Sequence, residues 1–113
     1  MVKISSKRII RLNKKFGGSL LNQNSLDFSV DKSNKEKNIY KSNAYLIRGI
    51  IVDHSFLDGN KRTAMTIVSE RFSKHKIKCD KEKLTKGFIN IAKKNVNSID
   101  KISRRLKKWC KKS

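Results

Sequence analysis

His54-Ser55-Phe56-Leu57-Asp58-Gly59-Asn60-Lys61-Arg62-Thr63-Ala64 is the stretch whose reading decides the fold of this chain. It is polar and carries a glycine, yet both flanks show helical apolar periodicity. Upstream, Ile39, Ala44, Tyr45, Leu46, Ile47, Ile50 and Ile51 give residues 38–53 a wide apolar face, which predicts the central helix of the fold. Downstream, Ala64, Ile67, Val68 and Phe72 recur at helical spacing to about His75. The insert is therefore a loop delivered onto a helix N-terminus near Asn60, with His54 at the end of the helix before it.

Working outward, Ser5 or Ser6 is expected to cap a first helix that runs to about Phe16, and Gly17-Gly18 stop it after a basic last turn. Residues 19–37 are the least regular. A short helix is expected at Ser25–Val30, where Leu26 and Val30 stand four apart, and Asp31–Lys37 reads as an exposed loop. Ile77–Cys79 reads as a short extended connector. Asp80 is placed to cap a helix carrying Leu84, Phe88, Ile91 and Ala92. Ser98 is placed to cap a last one, whose buried stripe is Ile99, Ile102, Leu106 and Trp109. There is no internal repeat. The expected fold is all-α: a compact bundle of five or six helices forming one domain over residues 1–113.

Composition agrees with helices. The chain has no proline, only five glycines and 36% hydrophobic residues. Its 29 basic residues against 9 acidic ones leave a formal charge of +20, which attracts polyanions, whether nucleic acid, acidic protein segments or nucleotides. Charges interrupt the apolar residues of the N-terminal segment, so it does not read as a signal peptide, and no apolar run is long enough for a bilayer. A cytoplasmic location follows as the expectation. Cys79 and Cys110 lie far apart without metal-binding or redox spacing, and are expected to be reduced, half-buried thiols.

The loop collects chemistry. The first N–H groups of a helix lack intrahelical partners and sit at its positive end, so the amides of Gly59, Asn60 and Lys61 are placed to cradle a phosphate. Arg62, in the first turn, adds a fork-shaped cationic contact. Asp58 precedes the cradle, and a lone carboxylate beside bound phosphates is a common way to hold Mg²⁺. His54 brings an imidazole to this site, the side chain most often used to take a proton from an attacking hydroxyl. Phe56, apolar within a polar loop, reads as the anchor that ties the loop to the core. Such parts serve phosphoryl or nucleotidyl transfer, where catalysis is mainly positioning and charge stabilisation. The segment is not a truncated phosphate loop, because the first glycine and the preceding strand are missing, and the alternating acids of a calcium loop are absent. His75 lacks such company and reads as a surface residue; Asp53 reads as a solvated carboxylate.

HSFLDGNKR resembles the signature loop of the Fic/Doc family, His-x-Phe-x-Asp/Glu-Gly-Asn followed by Gly or Lys and then Arg. The longer HxFxDGNKRTA form is similar to the Doc branch, toxins of toxin–antitoxin pairs. Phe16-Gly17-Gly18 and Asn24-Ser25-Leu26 are similar to segments upstream of that loop in the family. The resemblance implies His54 as general base and Asp58 as Mg²⁺ ligand. It also implies Gly59, Asn60 and Lys61 as the anion-binding turn, and Arg62 on the phosphates of ATP. Lys61 stands where adenylyl-transferring members usually carry glycine, and Met65 where they carry a second arginine. Lysine at the first position goes with transfer of the terminal phosphate. The implied activity is thus phosphorylation of a Ser or Thr hydroxyl on a target protein, for which the family points to a translation elongation factor. Adenylyl transfer is the alternative within the same chemistry. A non-enzymatic basic module for nucleic acid or protein is the second alternative.

Ser55 replaces a residue that is often proline or branched in relatives, a departure expected to be tolerated. Thr66 and Glu70 have the spacing of the family's autoinhibitory motif, but Arg71 follows where Gly or Asn is required. Inhibition by a separate acidic antitoxin is therefore implied. The family also places a target-holding flap near Asp31–Lys37. The run Lys101–Lys112 puts Arg104, Arg105, Lys107, Lys108 and Lys111 on an exposed face, open to an acidic antitoxin, an acidic target or nucleic acid.

Overall fold

Ser5 begins the first helix with extended backbone, and its side chain accepts from the N–H of Arg8 at 3.2 Å. In the computed structural model, which describes residues 3–112, that helix (α1) spans Ser6–Lys15. It is followed by α2 (Gln23–Lys35), α3 (Ile39–Ile47), α4 (Asn60–Lys74), α5 (Lys81–Lys93) and α6 (Ile99–Trp109). Asp80 and Ser98 cap α5 and α6 as expected, accepting from Lys83 and Lys101 N–H at 3.1 and 3.3 Å. The fold is an all-α bundle, as the sequence predicts, with one small ribbon of two strands, β1 (Ile77–Cys79) and β2 (Cys110–Lys112).

The centre of the bundle is α3. It packs chiefly against α2 and α6, and Ala44, Leu46 and Ile47 are wholly buried. Its path continues into a π-helical turn, Arg48–Val52, which buries Gly49, Ile50 and Ile51. Such a turn makes room for a backbone of another element. A Cβ on Gly49 would lie 1.9 Å from the Ser29 hydroxyl, so glycine lets α2 close onto this turn. Leu84, Phe88 and Ile91 of α5, Ile102 and Leu106 of α6, and Ala64, Ile67, Val68 and Phe72 of α4 complete one continuous core. Each of these faces is the one its periodicity predicts.

Two expectations are overturned. Asp31–Lys37 is not a loop: α2 continues to Lys35. Its buried face there is made of small hydroxyls, Ser29 and Ser33, which apolar periodicity does not register. Ser33 and Ser42 share a 2.8 Å hydrogen bond, and the Ser42 hydroxyl also contacts the Ser33 carbonyl at 2.7 Å. Arg71, 5% exposed, donates from Nη2 to Ser42 Oγ at 2.7 Å and from Nε to Asn43 Oδ1 at 2.9 Å. Burial lowers the pKa of its guanidinium, and this polar network takes the place of water around it. Only Glu36–Asn38 then separate α2 from α3, which leaves little chain for a flap.

The second correction concerns the cysteines. Cys79 and Cys110 are joined in a disulfide and are not free thiols. Antiparallel pairing of β1 with β2 sets them directly opposite each other, a register that sequence spacing does not reveal. Closing a loop across a separation of 31 residues stabilises the fold, by about 3–4 kcal/mol in the chain-entropy account.

Candidate active site

The loop between the π turn and α4 owes its shape to backbone pairing with the segment after α1. Leu20 and Phe56 form an antiparallel bridge. The N–H groups of Leu21 and Asn22 donate to the Ser55 carbonyl at 2.8 and 3.0 Å, and Leu57 N–H donates to the Ser19 carbonyl at 3.0 Å. Phe56 is buried to 1% exposure, the anchor that its apolar character in a polar loop predicts. Ser55 is also fully buried, and its hydroxyl donates to the Gly49 carbonyl in the π turn at 2.7 Å. Ser55 thus ties the loop to the π turn.

His54 lies in the turn two residues beyond the π-helical stretch, exposed, with φ of 52°. That left-handed backbone is uncommon for a residue with a side chain and ends the helical path abruptly. Gly59 enters α4 with φ of 75°, and no side chain caps the helix. The first turn of α4 contains no acidic residue and carries the cations Lys61 and Arg62.

His54, Asp58, Gly59, Asn60, Lys61 and Arg62 all line one cavity of about 350 Å³, closed further by Ile51, Leu57 and Ala92. Every residue expected at the reaction centre is therefore brought to one place. Their orientations differ in detail from the expectation. The Asn60 side chain is turned onto the loop, donating to the Phe56 carbonyl at 2.8 Å and accepting from the Phe56 N–H at 3.1 Å. Gly59 N–H donates to Asp58 Oδ1 at 2.7 Å, so this amide is held by the carboxylate, not presented as a free donor. Asp58 keeps a second oxygen for other work. The guanidinium of Arg62 lies 5.7 Å from the centre of the Phe16 ring, which steers it along the helix end.

Asn13 is a site residue that the sequence reading missed. It is 1% exposed, and its Nδ2 donates to the Asp58 carbonyl at 2.8 Å and to Thr63 Oγ1 at 3.1 Å. One side chain thus holds the metal-ligand candidate and the first turn of α4 in a fixed relation. Gly18 is its counterpart: a Cβ there would lie 2.2 Å from Asn13 Oδ1 and 2.4 Å from the Asp58 carbonyl. The signal was present, since Asn13 follows Ile9 by four residues on the buried stripe of α1.

Among the described residues, no group of three His, Cys, Asp or Glu side chains gathers to hold a metal. The site suits a divalent ion only in the mode that takes one carboxylate and completes its shell with water and phosphate oxygens, with Asp58 as the protein ligand. No helix among the described residues is long and apolar enough to cross a membrane. Compared with protein-family models, curated proteins and solved structures, the chain gives no significant match.

Proposed function

We propose that this chain is a Doc-like phosphotransferase that moves the terminal phosphate of ATP to a Ser or Thr hydroxyl of a target protein. The observation that carries the reading is the convergence of His54, Asp58, Lys61 and Arg62 on one cavity at an uncapped helix N-terminus. The N–H groups of the first turn, with Lys61 and Arg62, bind the phosphate chain and balance the charge that builds up during transfer. His54 takes the proton from the target hydroxyl as its oxygen attacks the γ-phosphorus, and ADP departs. Asp58 would hold Mg²⁺ together with the phosphates, and the bound ion would supply further charge neutralisation. Asn13, Asn60 and Phe56 act on the reaction through the loop they hold.

The same reading assigns a translation elongation factor as target, a separate acidic antitoxin as inhibitor, and a cytoplasmic setting. In that setting a disulfide is unusual. Thiol alkylation of cells before lysis reports the state of Cys79 and Cys110 there.

The test is label transfer from ATP carrying label on the α- or the γ-phosphate, with host-cell extract as acceptor. Wild type and His54→Ala are compared. Transfer of γ label by wild type alone supports the reading, and the labelled band identifies the target. Transfer of α label replaces it with adenylylation. No transfer of either label to extract or to purified elongation factor rejects the enzyme reading.

A further inference from the structure

The length of α6, continuing into β2, carries another open groove, of about 500 Å³, that shares no residue with the loop cavity. Its lining is Lys101, Arg104, Arg105, Lys107, Lys108 and Lys111, every one a cation. Among the described residues, none of the six is within ion-pair distance of a carboxylate; Asp100, the nearest acid in sequence, pairs with Lys41 at 3.8 Å. The ribbon extends the pattern, because Lys78 of β1 stands directly opposite Lys111 of β2. Like charges paired across strands destabilise a ribbon, and this one is kept in register by the adjoining disulfide.

From this surface we infer a binding site for the phosphate backbone of duplex nucleic acid, used without choice of sequence. No aromatic or aliphatic residue lines the groove, whose hydrocarbon surface is lysine and arginine stem alone, and this selects the partner. A protein partner, even an acidic one, draws most of its affinity from apolar and aromatic anchors at the centre of the contact, where lysine is depleted. Single-stranded nucleic acid is held on stacking aromatics, and this groove offers none. A duplex backbone asks only for cations at intervals. Lys101, Arg104, Arg105 and Lys108 follow one face of α6 over about 10 Å, a distance along which a duplex presents about six phosphate charges. Those four cations meet most of that demand, and Lys107 and Lys111 widen and lengthen the site.

The net charge of +20 would give weak binding by any face, so the test compares faces. Binding of a fluorescent 20-base-pair duplex is measured by anisotropy across a salt series, as DNA and as RNA. Wild type is set against Lys101→Ala/Arg104→Ala/Lys108→Ala and against Lys7→Ala/Arg11→Ala/Lys14→Ala, which removes three exposed cations from α1. All six positions are exposed and helical, so alanine leaves the fold intact, as circular dichroism will verify. The expected result is at least about a tenfold loss for the α6 variant, with its salt slope reduced by about 2–3, while the α1 variant binds nearly as wild type. His54→Ala should bind as wild type, which separates this site from the proposed reaction. Equal losses in both triple variants would overturn the inference, as would no binding by wild type near 0.1 M salt. Tighter binding of a poly-glutamate peptide than of either duplex, lost in the α6 variant, would overturn it in favour of an acidic protein partner.

Discussion

The carboxamide of Asn60 grips the backbone of Phe56 on both sides, donating to its carbonyl at 2.8 Å and accepting from its N–H at 3.1 Å. Asn60, whose backbone amide is expected to face a phosphate, thus serves with its side chain as the clasp of its own loop. Asn60→Ala should therefore cost stability as well as label transfer, by about 1–3 kcal/mol for two lost hydrogen bonds with partly buried partners. Urea denaturation reads the first effect. A variant that loses transfer with unchanged stability would return Asn60 to a purely anion-binding role.

His54 sits at φ of 52°, where a Cβ is disfavoured. His54→Gly and His54→Ala should both abolish transfer, but the glycine variant should be the more stable by about 1 kcal/mol. Thermal melts of the pair check this ordering. The reverse order would mean that the turn relaxes once the imidazole is gone.

Glu70 on α4 hydrogen-bonds to Arg8 on α1, and that bond holds its carboxyl below the ordinary value of 4.5 against a smaller opposing effect of burial. A depressed folded-state pKa means that the contribution is present above about pH 4.5 and is lost as pH falls through the lowered value. Solvent reaches this pair, so its worth is about 0.5 kcal/mol. Glu70→Gln should lower stability by that amount at pH 7, and the difference from wild type should vanish toward pH 3 as the wild-type carboxyl protonates. Denaturation curves at both pH values, at low and high salt, make the check.

Gly87 lies under Trp109: a Cβ there would come 2.1 Å from the indole ring. Gly87→Ala should push the ring outward and cost about 1–3 kcal/mol, outweighing the helix propensity gained. Trp109 is the only tryptophan in the chain, so its emission reports the shift directly. An unchanged spectrum with raised stability would show that α5 and α6 can part without loss.

Much of this was legible because apolar spacing is loud. Ile67, Val68 and Phe72 announce α4, and Ile102 and Leu106 announce α6, from periodicity alone. The caps at Ser5, Asp80 and Ser98 were equally plain, since short oxygen-bearing side chains stand just before apolar periods. The polar residues lining the loop cavity were named from one contiguous stretch, where chemistry and sequence order coincide. What stayed hidden depends on polar burial or distant pairing. Ser29 and Ser33 make a buried helix face from hydroxyls, so the second half of α2 looked like a loop. Arg71 gives no sign in the sequence of its burial, yet Ser42 and Asn43 solvate it inside the bundle. Asn13 reaches Asp58 across the fold, and the Cys79–Cys110 bond depends on a strand register that no local pattern encodes.

The π-helical turn at Arg48–Val52 carries a consequence for how the chain tolerates insertions and deletions. A π turn holds one more residue than the α turn it replaces. Deleting one residue there would restore ordinary α pitch, in which the Gly49 carbonyl is drawn into the helix's own ladder and away from the loop. Ser55 would leave the Gly49 carbonyl, and Phe56 would lose its bridge to Leu20. Side chains in this turn can be exchanged for others of similar bulk, but its length is fixed. Natural relatives of this chain should therefore be free of gaps between Arg48 and His54, while the tip around Asn95 accepts them.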